Sequence, residues 1–285
     1  MVVTLELRGA DGLTLVADAF GEPTHPTVVL LHGGGQTRHA WGGTAAALAA
    51  DGFYALTVDQ RGHGDSAWDP AGRYGFEAYA DDARALAAQL DRPVIVGASL
   101  GGIAGLLAAG EAPRAELGGL VLVDIAHRAR PEGVARVIEF MRERALDGFG
   151  SLEEAADFVA AYLPHRERPS DVSGLEKNLR RGEDGRWRWH WDPAFLQRGP
   201  DGPIVAERLA AAARSLSLRT LLVRGRASDV LSEEGAREFL ALVPHAEYVD
   251  VADAAHMVAG DRNDAFTAAV SRFLRAQEGA EQAPS

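Results

Sequence analysis

Short apolar runs alternate with amphipathic stretches along most of the chain. Eight of these runs are rich in Val, Leu and Ile or alternate apolar with polar side chains, which is typical of β-strands. The predicted strands are 2–7, 13–19, 27–31, 54–59, 94–96, 117–124, 219–225 and 246–251. Helical patterns separate the strands from the third one onward. Strands that alternate with helices predict an α/β fold, here a mostly parallel eight-stranded sheet with helices on both faces.

The alternation stops after residue 125 and resumes near residue 216. Between these points the pattern is helical and irregular, and it contains no strand of the earlier kind. We therefore expect a core made of 1–125 and 216–278, a helical cap inserted at 126–215, and a flexible tail at 279–285.

Charge and composition narrow the classes of partner. The 285 residues carry 41 acidic and 29 basic side chains, a net charge of −12, and the predicted cap holds 15 of each. An acidic core disfavours nucleic acid or an anionic membrane as a partner. The chain has no cysteine, which removes disulfides and thiolate chemistry.

The expected location follows from two missing signals. The first twenty residues lack the basic and apolar regions of a secretory signal, and no apolar run reaches the length of a membrane span. We expect a cytoplasmic protein that acts on a small apolar molecule without a cofactor or a metal ion. The sequence does not predict its oligomeric state.

One candidate for chemistry lies in "VIVGASLGG", residues 94–102, where a buried strand enters a turn of small residues and then a helix. Gly97, Ser99 and Gly101 form the G-x-S-x-G pattern of a nucleophile elbow. The serine of such an elbow sits on a strained turn, where side chains at the two glycines would collide with neighbouring elements. A glycine-rich turn without chemistry is the alternative.

A reactive serine needs a base within hydrogen-bond reach and an acid that orients the base. In a parallel sheet both should follow the ends of later strands, at the edge where the elbow lies. His256 lies between the last strand and the last helix, and we predict that it is the base. Asp229 follows the end of a strand and is the predicted acid, while Asp124, which ends an earlier strand, is the alternative.

The run "HGGG" at 32–35 supplies the remaining part of such a site. Attack on a carbonyl creates an oxyanion, which needs two preorganised donors. We predict that these are the backbone N–H groups of Gly34 and Leu100, with Gly35 as the alternative to Gly34. A phosphate-binding loop is disfavoured because the chain has no G-K-[ST] motif here.

These motifs together resemble the α/β-hydrolase-fold serine hydrolases, in the branch with a helical cap. The segments that carry the resemblance are "LLHGGGQTRHAW", "VDQRGHGDSAW", "VGASLGG", "GRASDVL" and "DAAHMV". The resemblance implies that Asp59, Arg61 and His63 brace a loop. Because a serine rather than an aspartate stands at the elbow, it also implies acyl transfer.

The expected function is hydrolysis of carboxylic esters with an apolar acyl or alcohol part, through an acyl-enzyme on Ser99. A carbon–carbon bond hydrolase, a lactonase and a cofactor-free perhydrolase are alternatives with the same machinery. A ligand-binding receptor on this fold, with slow or no turnover, is the alternative of another class.

Several further residues are candidates for the wall of the substrate pocket. Three tryptophans alternate in "GRWRWHWDPAF", so that an extended segment would place them on one face, either over the substrate or packed between cap and core. The candidate pocket residues are His32, Gly35, His39, Trp187, Trp189 and Trp191.

Overall fold

In the computed structural model, ten strands and nine helices are present in the parts of the chain that the structure describes, residues 2–164, 166–197, 203–261 and 263–281. The strands are β1 (Val3–Arg8), β2 (Thr14–Phe20), β3 (Thr27–Leu31), β4 (Tyr54–Val58), β5 (Val94–Ala98), β6 (Gly119–Val123), β7 (Leu179–Arg181), β8 (Trp187–Trp189), β9 (Thr220–Gly225) and β10 (Glu247–Val251). The helices are α1 (Gly42–Ala50), α2 (Phe76–Ala87), α3 (Leu100–Gly110), α4 (Pro131–Glu143), α5 (Leu152–Tyr162), α6 (Pro203–Arg214), α7 (Glu233–Leu242), α8 (Val258–Asp261) and α9 (Asn263–Glu281).

Eight of the strands form one sheet in the order β1-β2-β4-β3-β5-β6-β9-β10. The β1–β2 and β2–β4 pairs are antiparallel, and the other five pairs are parallel. The predicted mostly parallel eight-stranded sheet is therefore confirmed. All carboxyl ends of the parallel strands lie at one edge, which is the edge where the candidate residues follow their strands.

Both faces of the sheet are covered, because successive residues of a strand point to opposite sides. In β3, Val29 and Leu31 pack into the cluster that contains α2, α3, α6 and α7. Val28 and Leu30 pack into the cluster that contains α1 and α9 on the other face. Helices on both faces, as predicted, leave the loops at the sheet edges as the accessible surface of the core.

The inserted segment differs in two ways from the predicted helical cap. It contains α4 and α5, but also an antiparallel hairpin of β7 and β8, with Trp187 and Trp189 on one strand. Its last helix, α6, packs on α3 of the core, where Arg208 donates two hydrogen bonds to Glu111, at 2.6 and 2.8 Å. The predicted cap range of 126–215 thus includes a helix that lies on the core. We call α4, α5 and the hairpin the cap elements.

The C-terminal end and the hydropathy of the helices complete the description. Helix α9 continues to Glu281, so the start of the predicted tail, 279–285, is helical, and the rest of it lies outside the described residues. Within the described ranges, no helix combines the length and the apolar character needed to cross a bilayer.

Candidate active site

Ser99 lies at the sharp turn between β5 and α3, with backbone angles φ 46° and ψ −109°. A positive φ is costly for any residue other than glycine, so close packing must hold this turn in place. A β-carbon at Gly97 would lie 2.3 Å from the carbonyl oxygen of Gly101, and one at Gly101 would lie 2.4 Å from that of Leu31. Only glycines allow strand and helix to approach this closely, and the turn leaves Ser99 partly exposed.

His256 lies at the same edge, in the segment between β10 and α8. Its Nδ1 donates a hydrogen bond to Oδ2 of Asp124 over 2.7 Å. Asp124 directly follows β6, is fully buried and has a φ of 52°. With Nδ1 protonated, the neutral imidazole keeps Nε2 as an acceptor, which is the state that a general base requires.

Two further donors hold the carboxylate of Asp124. The backbone N–H of Gly225 donates to Oδ1 over 2.9 Å, and Oγ of Ser228 donates to Oδ2 over 2.5 Å. Ser228 in turn accepts the N–H groups of Val230 and Leu231, both at 3.1 Å. The sequence analysis missed Ser228, and its only local signal was its position next to Asp229, three residues after the end of β9.

The structure corrects the predicted partner of His256. Asp229 does not contact the imidazole. Its Oδ2 lies 2.6 Å from a guanidinium nitrogen of Arg136 on α4. Ser228, one residue earlier in the chain, faces Asp124 instead, so the side chain of Asp229 is directed to the cap. The alternative acid, Asp124, is the residue that the structure pairs with His256.

Leu100 directly follows Ser99, and the glycine run lies beside both, since a β-carbon on Gly33 would be 3.6 Å from that of Ser99. Leu100 is the first residue of α3, so its N–H is not used within the helix. In the glycine run, the N–H of Gly33 donates to Gln36 over 3.0 Å, and that of Gly35 donates to His63 over 3.1 Å. The N–H of Gly34 has no hydrogen-bond partner among the described residues, which favours Gly34 over Gly35 as the second donor.

Comparison with known proteins agrees with this geometry. The family model described as the alpha/beta hydrolase family matches residues 28–269. The chain belongs to this family. It is a hydrolase.

Similar proteins extend this result. The chain is 32% identical to the esterase Rv0045c of Mycobacterium tuberculosis over 250 residues, which covers 83% of this chain and 78% of the esterase. It is 29% identical to a 3-hydroxybutyrate-oligomer hydrolase of Cupriavidus necator, over 83% of this chain and 85% of that protein. At the level of the family, these relatives support an ester hydrolase.

Solved structures support the fold. The crystal structure of E-2-(acetamidomethylene)succinate hydrolase has a TM-score of 0.83 and covers 96% of this chain and 100% of its own, at 23% identity. At this identity the likeness concerns the fold alone. The structure of the M. tuberculosis esterase has a TM-score of 0.74 at 30% identity and covers 96% of this chain and 92% of its own.

In this alpha/beta hydrolase, His32 is a brace of the loops that surround the glycine run. It is fully buried, its Nδ1 donates to the carbonyl of Gly33 over 2.8 Å, and its Nε2 accepts the N–H of Gln60 over 3.0 Å. Burial lowers the pKa of His32 to about 4, so the ring is neutral at pH 7. Because both nitrogens are used inside the core, the structure gives His32 a structural role instead of a place in the pocket.

The loop after β4 is held by buried ion pairs. Asp59 is fully buried, accepts the N–H of Arg38 over 2.6 Å and pairs with its guanidinium. The guanidinium of Arg61 donates to both oxygens of Asp82 on α2, at 2.6 and 2.7 Å. These pairs fix the loop that carries His63, which accepts the N–H of Gly35.

His39 lies further from the elbow than a pocket residue should. Its Nδ1 is 3.7 Å from Oδ2 of Asp18 on β2, which is three strands along the sheet from β5. Burial lowers its pKa. The structure therefore places His39 beside the antiparallel end of the sheet and does not bring it to Ser99.

The three tryptophans serve mainly in packing. Trp191 is 2% exposed and meets the ring of Phe195 edge-on, with centroids 6.3 Å apart, while Phe195 lies against Gly34. Trp187 and Trp189 pack inside the cap with Phe149, whose centroid is 5.3 Å from that of Trp189. Trp191 therefore fits the predicted packing between cap and core, whereas Trp187 and Trp189 pack within the cap itself.

Helix α4 runs from the loop after β9 to the glycine run, and we call the core surface between these two segments the gap. Near its start, a β-carbon on Gly133 would lie 2.2 Å from the carbonyl of Asp229, so the two backbones touch. Near its end, a β-carbon on Gly35 would lie 2.8 Å from the methyl group of Met141. These two contacts are eight residues apart, roughly 12 Å along a helix. Val137, midway between them on the same face and half-buried, therefore lies over the gap.

The pairing of His256 with Asp124 makes a prediction for kinetics. Asp124→Asn should lower kcat by up to ~10⁴, since the orienting carboxylate sets the tautomer and stabilises the imidazolium. Asp229→Asn should leave kcat within about twofold, because its partner is an exposed arginine and not His256. Steady-state kinetics on an activated ester measures both. The opposite ranking of the two variants would return the acid role to Asp229.

Buried His32 predicts a pH dependence of stability. The unfolded chain binds a proton near pH 6.5, whereas the folded protein binds it only near the lowered pKa of about 4. The contribution of neutral His32 to stability is therefore complete above pH 6.5 and is lost as the pH falls toward 4. Urea unfolding from pH 8 to 4 should show this loss, and His32→Gln, though less stable at pH 7.5, should show a shallower one. The carboxylates titrate alike in the wild type and in His32→Gln. An equal loss of unfolding free energy in the two proteins would therefore show that His32 is not its cause.

Proposed function

We propose that this chain hydrolyses carboxylic esters with an apolar acyl or alcohol part through an acyl-enzyme on Ser99, with His256 as base and Asp124 as the orienting acid. The observation that carries the proposal is the 2.7 Å hydrogen bond between His256 and Asp124 at the edge where the strained Ser99 turn is exposed. A buried carboxylate on one imidazole nitrogen, with a serine at an elbow nearby, is the arrangement that acyl transfer requires.

In the proposed first half-reaction, Oγ of Ser99 attacks the ester carbonyl while Nε2 of His256 takes the hydroxyl proton. The charge that develops on the carbonyl oxygen is stabilised by the N–H groups of Leu100 and Gly34. Each such donor is worth ~10²–10³ in kcat in comparable enzymes. The imidazolium then gives the proton to the leaving alcohol, and the acyl group remains bonded to Ser99.

In the second half-reaction, His256 takes a proton from water, and the resulting hydroxide attacks the acyl carbon. Collapse of this intermediate returns the proton to Ser99 and releases the carboxylic acid. Asp124 takes no proton in either half-reaction, and its carboxylate accepts hydrogen bonds from Gly225, Ser228 and His256. Its role is to hold the imidazole and to stabilise the imidazolium in each half.

The choice of an apolar substrate rests on what faces the gap under α4. Val137 and Met141 are aliphatic, and Phe195 presents its ring to Gly34. The arginine on this part of α4, Arg136, is already paired with Asp229. The names of the relatives, an esterase and a 3-hydroxybutyrate-oligomer hydrolase, agree with an ester substrate.

The nucleophile is tested by covalent labelling. The wild-type protein should react with a fluorophosphonate at Ser99, and Ser99→Ala should abolish labelling and turnover together, with an unchanged circular dichroism spectrum. Mass spectrometry of the labelled peptide locates the adduct. Turnover that survives in Ser99→Ala would contradict the mechanism, and a folded protein without label or turnover would favour a ligand-binding receptor.

Because α4 lies over the gap, we expect activity to depend on the length of the acyl chain. Across 4-nitrophenyl esters from acetate to decanoate, kcat/KM should first rise by up to about fourfold per methylene, from ~0.8 kcal/mol of burial each, and then fall once the gap is full. Val137→Phe should move the maximum to shorter chains because its ring occupies that space. The matched control is Glu139→Phe, two positions further on the same helix and on its exposed, opposite side, which should leave the maximum in place. Equal shifts in both variants would show that α4 does not cover the acyl part.

A further inference from the structure

The segment 228–230 contacts the candidate catalytic residues and the cap at the same time. Ser228 donates to Asp124, as described above. The next two residues face α4: Asp229 pairs with Arg136, and the carbonyl of Val230 accepts the N–H of Arg130 over 2.8 Å. The segment 228–230 therefore holds Asp124 on one side and the start of α4 on the other.

The ion pair of Asp229 is the side-chain part of this connection. Arg136 also lies over the ring of Tyr162 at the end of α5, 5.6 Å from its centroid, and this ring stacks on Phe140 with centroids 4.0 Å apart. A single carboxylate of the core thus engages both cap helices. The side chains of Arg136 and Asp229 are 60% and 30% exposed. A pair this exposed contributes little to global stability, so removing it should not unfold the protein.

Geometry links this pair to the substrate gap. Helix α4 has one contact at Gly133, beside Asp229, and one at Met141, beside Gly35, with Val137 between them. A rotation or lateral shift at the Gly133 end changes the distance between Val137 and the gap, because the helix moves as a rigid rod. Arg136 directly precedes Val137 in the chain, and its pair with Asp229 resists such a shift.

We propose that Asp229, through its ion pair with Arg136, is a positioning residue that sets how closely α4 covers the substrate gap. It thereby controls the affinity for the acyl part and does not control the rate of bond cleavage. This inference rests on the proposed ester hydrolase function. It assigns a role to a carboxylate that the chemistry at His256 leaves unused.

The test uses Asp229→Asn, Arg136→Gln and the double variant with an acetate and an octanoate ester. For octanoate, KM should rise about threefold to fivefold in each single variant and no further in the double variant, as expected for one exposed pair. For both esters kcat should stay within twofold, and KM for acetate should not change. The charge exchange Asp229→Arg with Arg136→Asp should restore part of the octanoate KM.

Ionic strength gives a readout that a merely structural role would not move. Raising the salt concentration to 1 M, where the Debye length is ~3 Å, should raise the wild-type KM for octanoate toward that of Asp229→Asn, corrected for the salt effect on the variant. The control is Glu247→Gln, which breaks the 3.0 Å pair with Arg219 at the opposite edge of the sheet. This variant should keep both KM values and the salt response of the wild type.

Four outcomes would overturn the inference. Increases in KM that add in the double variant would show that the two residues act independently. A fall in kcat of a hundredfold or more in Asp229→Asn would place this residue in the chemistry. If Asp229→Asn and Arg136→Gln leave KM for octanoate unchanged while Ser99 still reacts with fluorophosphonate, the pair does not determine how closely α4 covers the gap. A wild type without label or turnover would overturn the proposed function and this inference with it.

Discussion

The arrangement at the carboxyl edge of the sheet depends on a carboxylate that has no access to water. A buried charge without partners costs several kcal/mol, so Asp124 is tolerated only because donors reach it from three segments of the chain. These are the end of β9, the loop that holds Ser228, and the segment that carries His256. Because the carboxylate of Asp124 needs these hydrogen bonds, it fixes the positions of His256 and Ser228, and with Ser228 the neighbouring contact to the cap.

The elbow at the end of the neighbouring strand, β5, depends on backbone strain and close packing instead of on a buried charge. At Ser99 the backbone is strained, and glycines on either side let α3 and β5 approach closely. Asp124, which directly follows the strand that pairs with β5, has a positive φ as well. Two strained residues at the ends of adjacent strands mark this edge as the place where the fold gives up local stability to direct side chains into the site.

This edge also shows how far the sequence could predict the structure. The strand pattern, the G-x-S-x-G turn and the position of His256 depend on local signals, and the structure has the predicted strands and puts Ser99 and His256 at the same edge of the sheet. The choice between Asp124 and Asp229 depends on tertiary contacts. Both follow strands that are neighbours in the sheet, β6 and β9, so that chain order alone cannot separate them. Ser228 and Arg136 decide the matter, and neither is recognisable without the fold.

The cap was harder to predict because its contacts join residues far apart in the chain. The hairpin of β7 and β8 has only three residues in each strand. Its register against the core is set by hydrogen bonds such as that from the N–H of Gly64 to the carbonyl of His190, at 2.7 Å. Likewise, α6 has the amphipathic pattern of any cap helix, and only its packing on α3 shows that it lies on the core.

The two sides of the cap are held by different kinds of interaction, and this difference has a consequence for specificity. On the hairpin side, backbone hydrogen bonds join Gly64 to His190 and Asp192 to Gly62, at 2.7 and 2.8 Å, and Tyr74 donates to Asp192 over 2.5 Å. Backbone bonds of this kind survive most substitutions, because they do not depend on side-chain identity.

On the α4 side, a backbone hydrogen bond from Arg130 to Val230 holds only the start of the helix, while the pair of Arg136 and Asp229 and the contact of Met141 with Gly35 depend on side chains. We expect substitutions there to alter how closely α4 covers the gap, because the hairpin and the hydrogen bonds of Asp124 do not depend on these side chains. The hairpin side thus preserves the position of the cap, while the α4 side is free to change the substrate that the same chemistry accepts.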